Sequence, residues 1–188
     1  MSLVNLKSFN DYIMDEFLQE GYVCLDGTCG NGHDTLTMRK LVGKSGKIYS
    51  FDIQEDAINS AKELLSSKKL DCENIEFLVD SHEKIDLYVK ESIDFAIFNL
   101  GYLPGGDKAL TTIWDSTKKS LEKTLEIMRK GALLSVTAYP GHEEGYLERN
   151  QLKEYLLSLN SKKYNITNLN YFNQKDTAPE TFIIEKRK

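Results

Sequence analysis

Three observations predict an α/β chain: a Rossmann-like parallel sheet with helices on both faces and an antiparallel last strand. Strand-like and helix-like segments alternate five times along the 188 residues, the pattern that builds parallel strands joined by crossovers. The last two strand-like segments are joined by a loop alone, so the final strand runs back against its neighbour. An apolar run over 22–25 reaches Asp26, and Gly27, Gly30 and Gly32 then fall within six residues before a helical pattern begins at Thr35. Glycines there let the backbone turn sharply and approach a ligand, and the helix N-terminus offers unpaired N–H groups.

The elements follow in order. Leu6, Phe9, Ile13, Phe17 and Leu18 recur at a helical period over 6–20, and Gly21 ends that helix. Strand one covers 22–26 and the helix after the glycine turn runs from Thr35 to Val42. Gly43 to Gly46 turns the chain into strand two, 47–52. The helix over 54–69 carries Ala57, Ile58, Ala61, Leu64 and Leu65 on one face. Strand three, 75–79, leads through Asp80, Ser81 and His82 to a short helix ending near Lys90. Strand four, 93–98, is almost continuously apolar, as buried parallel strands are, and enters a loop over 99–108 crowded with turn residues. A helix over 111–129 is stopped by Gly131 before strand five, 132–139. A loop over 140–145, a helix over 146–159 and strands over 164–171 and 181–185 complete the chain. No repeat, low-complexity block or linker interrupts it, and the length suits a single domain.

Composition narrows the class. No run approaches the roughly 20 apolar residues of a membrane helix, and Asn10, Asp11, Asp15 and Glu16 break any leader pattern, so the cytoplasm is the expected compartment. Cys24, Cys29 and Cys72 lack C-x-x-C spacing and, with only His33, His82 and His142, make no zinc frame; no metal is expected. A net charge of −5 argues against indiscriminate nucleic-acid binding without excluding one structured RNA. Lys118-Lys119, Arg129-Lys130 and Lys162-Lys163 are the basic pairs available, and such pairs are more often solvated helix ends.

Ligands in open α/β sheets bind outside the carboxyl ends of the strands. Five loops there, 26–34, 52–54, 80–82, 99–108 and 139–145, hold the unusual residues. Asp52 ends strand two 20 residues after Gly32, a place from which a carboxylate accepts hydrogen bonds from both ribose hydroxyls of a nucleoside. The glycine spacing is G-x-x-G-x-G rather than the dinucleotide G-x-G-x-x-G. Asp26, directly before the first glycine, repels a pyrophosphate and favours a cationic ligand, so S-adenosylmethionine fits better than NAD. A glycine turn that merely connects strand to helix is the plainer alternative; Asp26 and Asp52 at their spacings weigh against it. In the fourth loop, Asn99-Leu100-Gly101-Tyr102 has the layout used to methylate amino groups, in which the Asn oxygen and a backbone carbonyl accept the target N–H groups and an aromatic ring stacks on a base. In isolation such an Asn and Tyr more often stabilise a turn.

Asp26-Gly-Thr-Cys-Gly-Asn-Gly-His-Asp34-Thr35, Ser81-His82, Phe98-Asn-Leu-Gly-Tyr-Leu-Pro-Gly-Gly-Asp-Lys108 and Tyr139-Pro-Gly-His142 together resemble one bacterial family across nearly the whole chain. Its members were long labelled rRNA methylases, and it includes the tRNA 5-aminomethyl-2-thiouridine methyltransferases of Gram-positive bacteria. The resemblance implies a class I methyltransferase fold, S-adenosyl-L-methionine as cofactor, and methylation of the aminomethyl nitrogen of a wobble uridine, with the anticodon region of tRNA as partner and no membrane. Carried over by position, Asp26, Gly30, Asn31 and Gly32, with Asp34 and Thr35 of the same motif, cradle the methionine end of the cofactor. Asp52 holds the ribose, Ile53 and Gln54 flank the adenine, and Asp80, Ser81 and His82 face it. Asn99, Leu100 and Gly101 lie between sulfonium and substrate, and Tyr102, Gly105, Gly106 and Tyr139 contact the substrate. Asn99 orients the amine, while Asp107 or His142 takes its proton. For His33 and His82 a merely hydrogen-bonded loop histidine is an equal alternative. The family usually has Asp-Ala-Thr where this chain has Asp26-Gly27-Thr28, and two prolines where it has Ala178-Pro179. An rRNA or small-amine methyltransferase, a non-catalytic nucleotide-binding protein and an NAD-dependent oxidoreductase are the competing readings; the oligomeric state, a homodimer included, stays open.

Overall fold

The computed structural model describes residues 6–101 and 112–187. Helix α1 (Leu6–Phe17) precedes strand β1 (Val23–Asp26), then α2 (His33–Val42), β2 (Lys47–Asp52), α3 (Glu55–Ser67) and β3 (Ile75–Val79). A 3₁₀ turn (His82–Lys84) runs into the one-turn α4 (Ile85–Tyr88), followed by β4 (Ile93–Leu100), α5 (Trp114–Ile127), β5 (Met128–Ala138), α6 (Glu143–Ser158), β6 (Tyr164–Leu169) and β7 (Glu180–Lys186). The strands form one sheet in the order β3-β2-β1-β4-β5-β7-β6. β1 to β5 pair in parallel, and β7 inserts antiparallel between β5 and β6. This is the class I methyltransferase architecture that the resemblance implies.

Alternation along the central strands sorts the core into two layers. Cys24, Ile48, Phe95 and Ile97 face Met14, Met38, Val42 and Leu65 of α1, α2 and α3. Leu25, Phe51, Ala96 and Phe98 face Ile85, Leu121, Leu125, Leu152 and Leu156 of α4, α5 and α6. Both faces of β1 and β4 are thereby covered, which is why those strands are apolar at nearly every position. Among the described residues no helix is long and apolar enough to cross a membrane.

Several boundaries differ from the sequence expectation, and three of them have a clear physical cause. Gly131 does not stop α5: the helix ends at Ile127, β5 starts at Met128, and Gly131 sits within the strand at φ 81°. There the register jumps from Ile93↔Met128 to Phe95↔Leu133, a bulge that a glycine with positive φ accommodates. The bulge brings the Arg129 guanidinium onto the Asp94 carboxylate and over the Tyr22 ring. Helix α6 begins three residues early because His142 caps it, its Nδ1 accepting the Gly145 N–H at 3.1 Å; histidine is outside the usual capping set. Finally, β4 runs two residues further than expected. Asn99 and Leu100 pair with Thr137 and Ala138 of β5, so Asn99 belongs to a rigid strand rather than a loop.

Candidate active site

All five parallel strands end at one edge, and a cleft of about 1220 Å³ opens there. Small-molecule pockets usually take about 300–1,000 Å³, so the cleft holds a cofactor-sized molecule with room beside it. Gly30, Asn31 and Asp34 line it after β1, Asp52, Ile53 and Gln54 after β2, and Asp80, Ser81 and His82 after β3. Asn99, Leu100 and Gly101 enter from the end of β4, and Tyr139 and His142 from beyond β5. Tyr102, Gly105, Gly106 and Asp107 lie outside the described residues.

Asp26, Gly32 and Thr35 stand behind the cleft wall rather than in it. Asp26 is fully buried; its Oδ2 accepts from Thr35 Oγ1 at 2.6 Å and its Oδ1 from the Thr28 N–H at 3.2 Å. Thr35 in turn bonds Ser50 Oγ at 2.7 Å. Burial first, then the nearby Asp34 charge, pushes the Asp26 carboxyl up to about 7, against the pull of its Thr35 and Thr28 bonds. Asp26 shapes the turn from beneath and does not itself line the cleft. Gly32 has φ 77°, and a Cβ there would stand 2.5 Å from Cβ of Ala61. It is glycine so that α2 can pack on α3 through a left-handed turn.

Asp52 is half-buried, with Oδ2 accepting the Gly30 N–H at 2.8 Å and Oδ1 the Gln54 N–H at 2.9 Å. Each carboxylate oxygen has a second lone pair, so Asp52 fastens the glycine turn and still offers acceptors to a diol. Asp80 is drawn below the ordinary carboxylate range by Lys84 at 2.7 Å and then by the Tyr88 hydroxyl at 2.7 Å, which brace the exit of β3. His82 is buried and donates Nδ1–H to the Gly27 carbonyl at 2.8 Å, with its ring against the edge of Phe98. Burial holds His82 below its usual range, leaving a neutral imidazole with Nε2 as an acceptor. The departure at Gly27 also has a partner: a Cβ there would stand 2.1 Å from Cε1 of Phe98, whose ring fills the alanine methyl's place.

At the opposite side of the cleft, Asn99 is gripped by Thr28 of the first loop and Asp34 of α2. Its backbone N–H donates to Thr28 Oγ1 at 2.7 Å and its Nδ2 to Asp34 Oδ2 at 2.7 Å. Burial pushes Asp34 upward while Lys7 and the Asn99 bond pull it down. Tyr139 stands close enough that the Asp34 charge adds to the burial that raises its phenol. Thr112 Oγ1 accepts the Gly101 N–H at 2.8 Å and donates to the buried Glu148 at 2.6 Å. Across the mouth, Arg149 of α6 fastens the β6–β7 loop through Asp176 at 2.9 Å and Glu180 at 3.0 Å. That loop contributes Thr177 and Pro179 to the cleft and displays Phe172 fully exposed.

Lys7, Asn10, Thr28, Thr112, Thr177 and Pro179 line the cleft without having been singled out from the sequence. Asn10 left a signal, a polar residue on the apolar stripe of α1 between Leu6 and Ile13. Thr28 left another, a hydroxyl between two glycines of the motif. Nothing marked Thr112 or Thr177, whose places depend on chain returning from elsewhere.

Comparison with known proteins bears on this geometry. Residues 48–185 match the family model described as "Putative rRNA methylase". A chloroplastic tRNA (mnm(5)s(2)U34)-methyltransferase of Arabidopsis thaliana is 39% identical over 144 residues, which are 71% of this chain and 52% of that protein. The chain therefore spans about half the length of that curated relative. A crystal structure described as a putative rRNA-methylase from Clostridium thermocellum is 31% identical, with 99% of this chain and 100% of that one covered at a TM-score of 0.95. One described as a putative methyltransferase from Streptococcus mutans, in complex with SAH, is 30% identical, with 98% and 99% covered at a TM-score of 0.88.

Proposed function

The chain belongs to the family described as "Putative rRNA methylase", and from that premise we propose that it is an S-adenosylmethionine-dependent RNA N-methyltransferase. Its acceptor in this reading is the aminomethyl nitrogen of 5-aminomethyl-(2-thio)uridine at the tRNA wobble position, the chemistry named for the Arabidopsis relative. One observation carries the reading: Asp52, an acceptor suited to a ribose diol, and Asn99, an acceptor suited to an amine, line the same cleft.

The donor set fits the cofactor. Asp34, Asp52 and Asp80 line the cleft, and carboxylates at the glycine turn suit a sulfonium and an ammonium group while disfavouring the pyrophosphate of NAD. Asp52 takes the ribose hydroxyls, Ile53 and Gln54 flank the adenine, and neutral His82 offers Nε2 to its amino edge. Gly30 and Asn31 lie along the methionine end. Bound there, S-adenosylmethionine supplies the methyl group: the amine lone pair forms the N–C bond as the S–C bond breaks, with that bond's electron pair going to sulfur. Asn99 accepts an N–H of the amine and aims its lone pair, so much of the acceleration comes from positioning. An alkyl ammonium must lose a proton before it attacks; Asp107, which rests on sequence alone, and His142 at the rim are the residues assigned to that transfer.

With a net charge of −5, contact with the anticodon region of tRNA falls to local features. Lys119, Ile113 and Tyr139 line the cleft, and Phe172 projects from the neighbouring loop. Aromatic faces of this kind stack on unpaired bases.

Purified protein incubated with methyl-labelled cofactor and three RNAs tests the proposal. tRNA carrying the aminomethyl group should take up label, while the same tRNA lacking that group and rRNA should not. Equal labelling of unmodified tRNA, or labelling of rRNA alone, contradicts the assignment.

A further inference from the structure

Three holds act on Asn99, and only one of them touches its amide. The backbone is fixed by pairing with Thr137 in the sheet and by the 2.7 Å bond from its N–H to Thr28 Oγ1. What stays free is χ2, a broad, two-fold torsion for asparagine, and its two settings present opposite chemistry to the cleft. With Nδ2 inward, the side chain offers a donor. With Oδ1 inward, it offers an acceptor.

We propose that Asp34 is a positioning residue for methyl transfer, holding the Asn99 amide so that Oδ1, not Nδ2, is presented to the acceptor nitrogen. The inference rests on the methyltransferase reading and deepens it. An ionised carboxylate can only accept, so its contact with Asn99 at 2.7 Å has to be made by Nδ2, and Oδ1 is left as the side chain's acceptor at the cleft. Among the described residues Oδ1 receives no hydrogen bond of its own. Asp34 is well set to impose this choice: it lies in the first turn of α2, at the helix end that favours an anion, and its Oδ2 stands 2.7 Å from the amide nitrogen that it orients. The sequence motif groups Asp34 with the cofactor residues; its hydrogen-bond partner in the fold is Asn99.

The orientation decides reactivity. A neutral amine approaching Oδ1 donates an N–H and keeps its lone pair clear for the methyl carbon. Approaching Nδ2, the same amine would accept a hydrogen bond on that lone pair and lose its nucleophile. The site so held selects nitrogen acceptors that still carry an N–H and rejects tertiary amines and carboxylates.

A double-mutant cycle on the full chain tests this, with Asp34→Ala, Asn99→Ala and the double variant assayed on aminomethyl-bearing tRNA. Loss of one hydrogen bond to a charged group corresponds to roughly a 10- to 100-fold fall. Asp34→Ala should show that fall in kcat at saturating cofactor and tRNA, and it should add nothing further in the Asn99→Ala background. Asp34→Asn, which keeps an acceptor oxygen in place, should recover part of the loss. Side-chain ¹⁵N–¹H₂ resonances of the cofactor-free protein supply a readout independent of turnover. The Asn99 amide should carry one strongly shifted, slowly exchanging proton in the wild type that Asp34→Ala abolishes. Additive losses, a collapse of cofactor affinity in folded Asp34→Asn, or an Asn99 resonance indifferent to Asp34 each overturn the proposal. A wild type that leaves aminomethyl tRNA unmethylated overturns the functional reading instead, while the resonance still decides whether Asp34 orients Asn99.

Discussion

Asp26 and Asp52 are both acids at strand ends, and the fold gives them different work. Asp26 points into the packed layer, where burial lifts its carboxyl from an ordinary 3.8 to about 7. The unfolded chain releases that proton near its ordinary value and the folded chain keeps it. The group's contribution to stability is therefore fully present below 3.8 and lost as pH rises toward 7. Asp26→Asn removes the titration and keeps an acceptor for Thr28. Relative to wild type, the variant should gain in stability between those two pH values, as thermal unfolding of cofactor-free protein at each would show; a constant difference contradicts the assignment. Asp52 faces the cleft, and Asp52→Ala should lose about 1.5–3 kcal/mol of cofactor affinity for each charged hydrogen bond removed. Calorimetry measures this, and unchanged affinity in a folded variant excludes the ribose role. Spacing made both acids legible in the sequence. It could not say which side of the sheet each faces, since one residue of shift turns a side chain to the other layer. Spacing alone accordingly groups Asp26 and Thr35 with the residues lining the cleft, whereas in the fold both are buried and bonded to each other behind it.

Elements were most legible where a pattern ran long and least where another element decided the end. Strands β1 to β4 follow from their apolar runs, whereas the boundary between α5 and β5 depends on a bulge opposite β4 that no local residue announces. Helix α1 shows the same limit. Its apolar stripe predicts a helix, but what pins it over the cleft is Asn10, whose Nδ2 donates to Thr137 Oγ1 at 3.1 Å and whose Oδ1 accepts from Ser135 Oγ at 3.0 Å. Asn10→Ala removes the acceptor of the buried Ser135 hydroxyl, while Thr137 keeps Thr181 at 2.9 Å, and should cost about 1–3 kcal/mol, measurable by urea unfolding; a loss near zero means α1 is held by Met14 and its apolar neighbours alone. The β6–β7 loop makes a complementary case. Arg149 holds it firmly while Phe172 stays wholly in water, so Phe172→Ala should leave stability and cofactor affinity unaltered. It should raise the KM for tRNA several-fold, since a stacked base contributes about 1–3 kcal/mol. An unchanged KM removes this loop from the RNA contact.

At the scale of the whole molecule, the parallel order of five strands brings loops from distant parts of the chain to one rim. Alternation of strand and helix made that architecture readable before any coordinate, because right-handed crossovers leave few other ways to connect such a series. The placing of β7 between β5 and β6 gives the rim its far wall through Thr177 and Pro179. In the proposed reading this rim divides into a cofactor half around Asp52 and an acceptor half around Asn99, and Thr28 and Asp34 join the two by their bonds to Asn99. The central claim is that methyl transfer between these halves ends on an exocyclic amine of the wobble uridine. Nucleoside mass spectrometry of aminomethyl-bearing tRNA, digested after reaction with the protein and S-adenosylmethionine, tests it most directly. The account predicts conversion of the aminomethyl nucleoside to its methylaminomethyl form, with every other nucleoside unchanged. Methyl found on a ring atom, on a ribose oxygen or on another nucleoside, with the aminomethyl group intact, would contradict it.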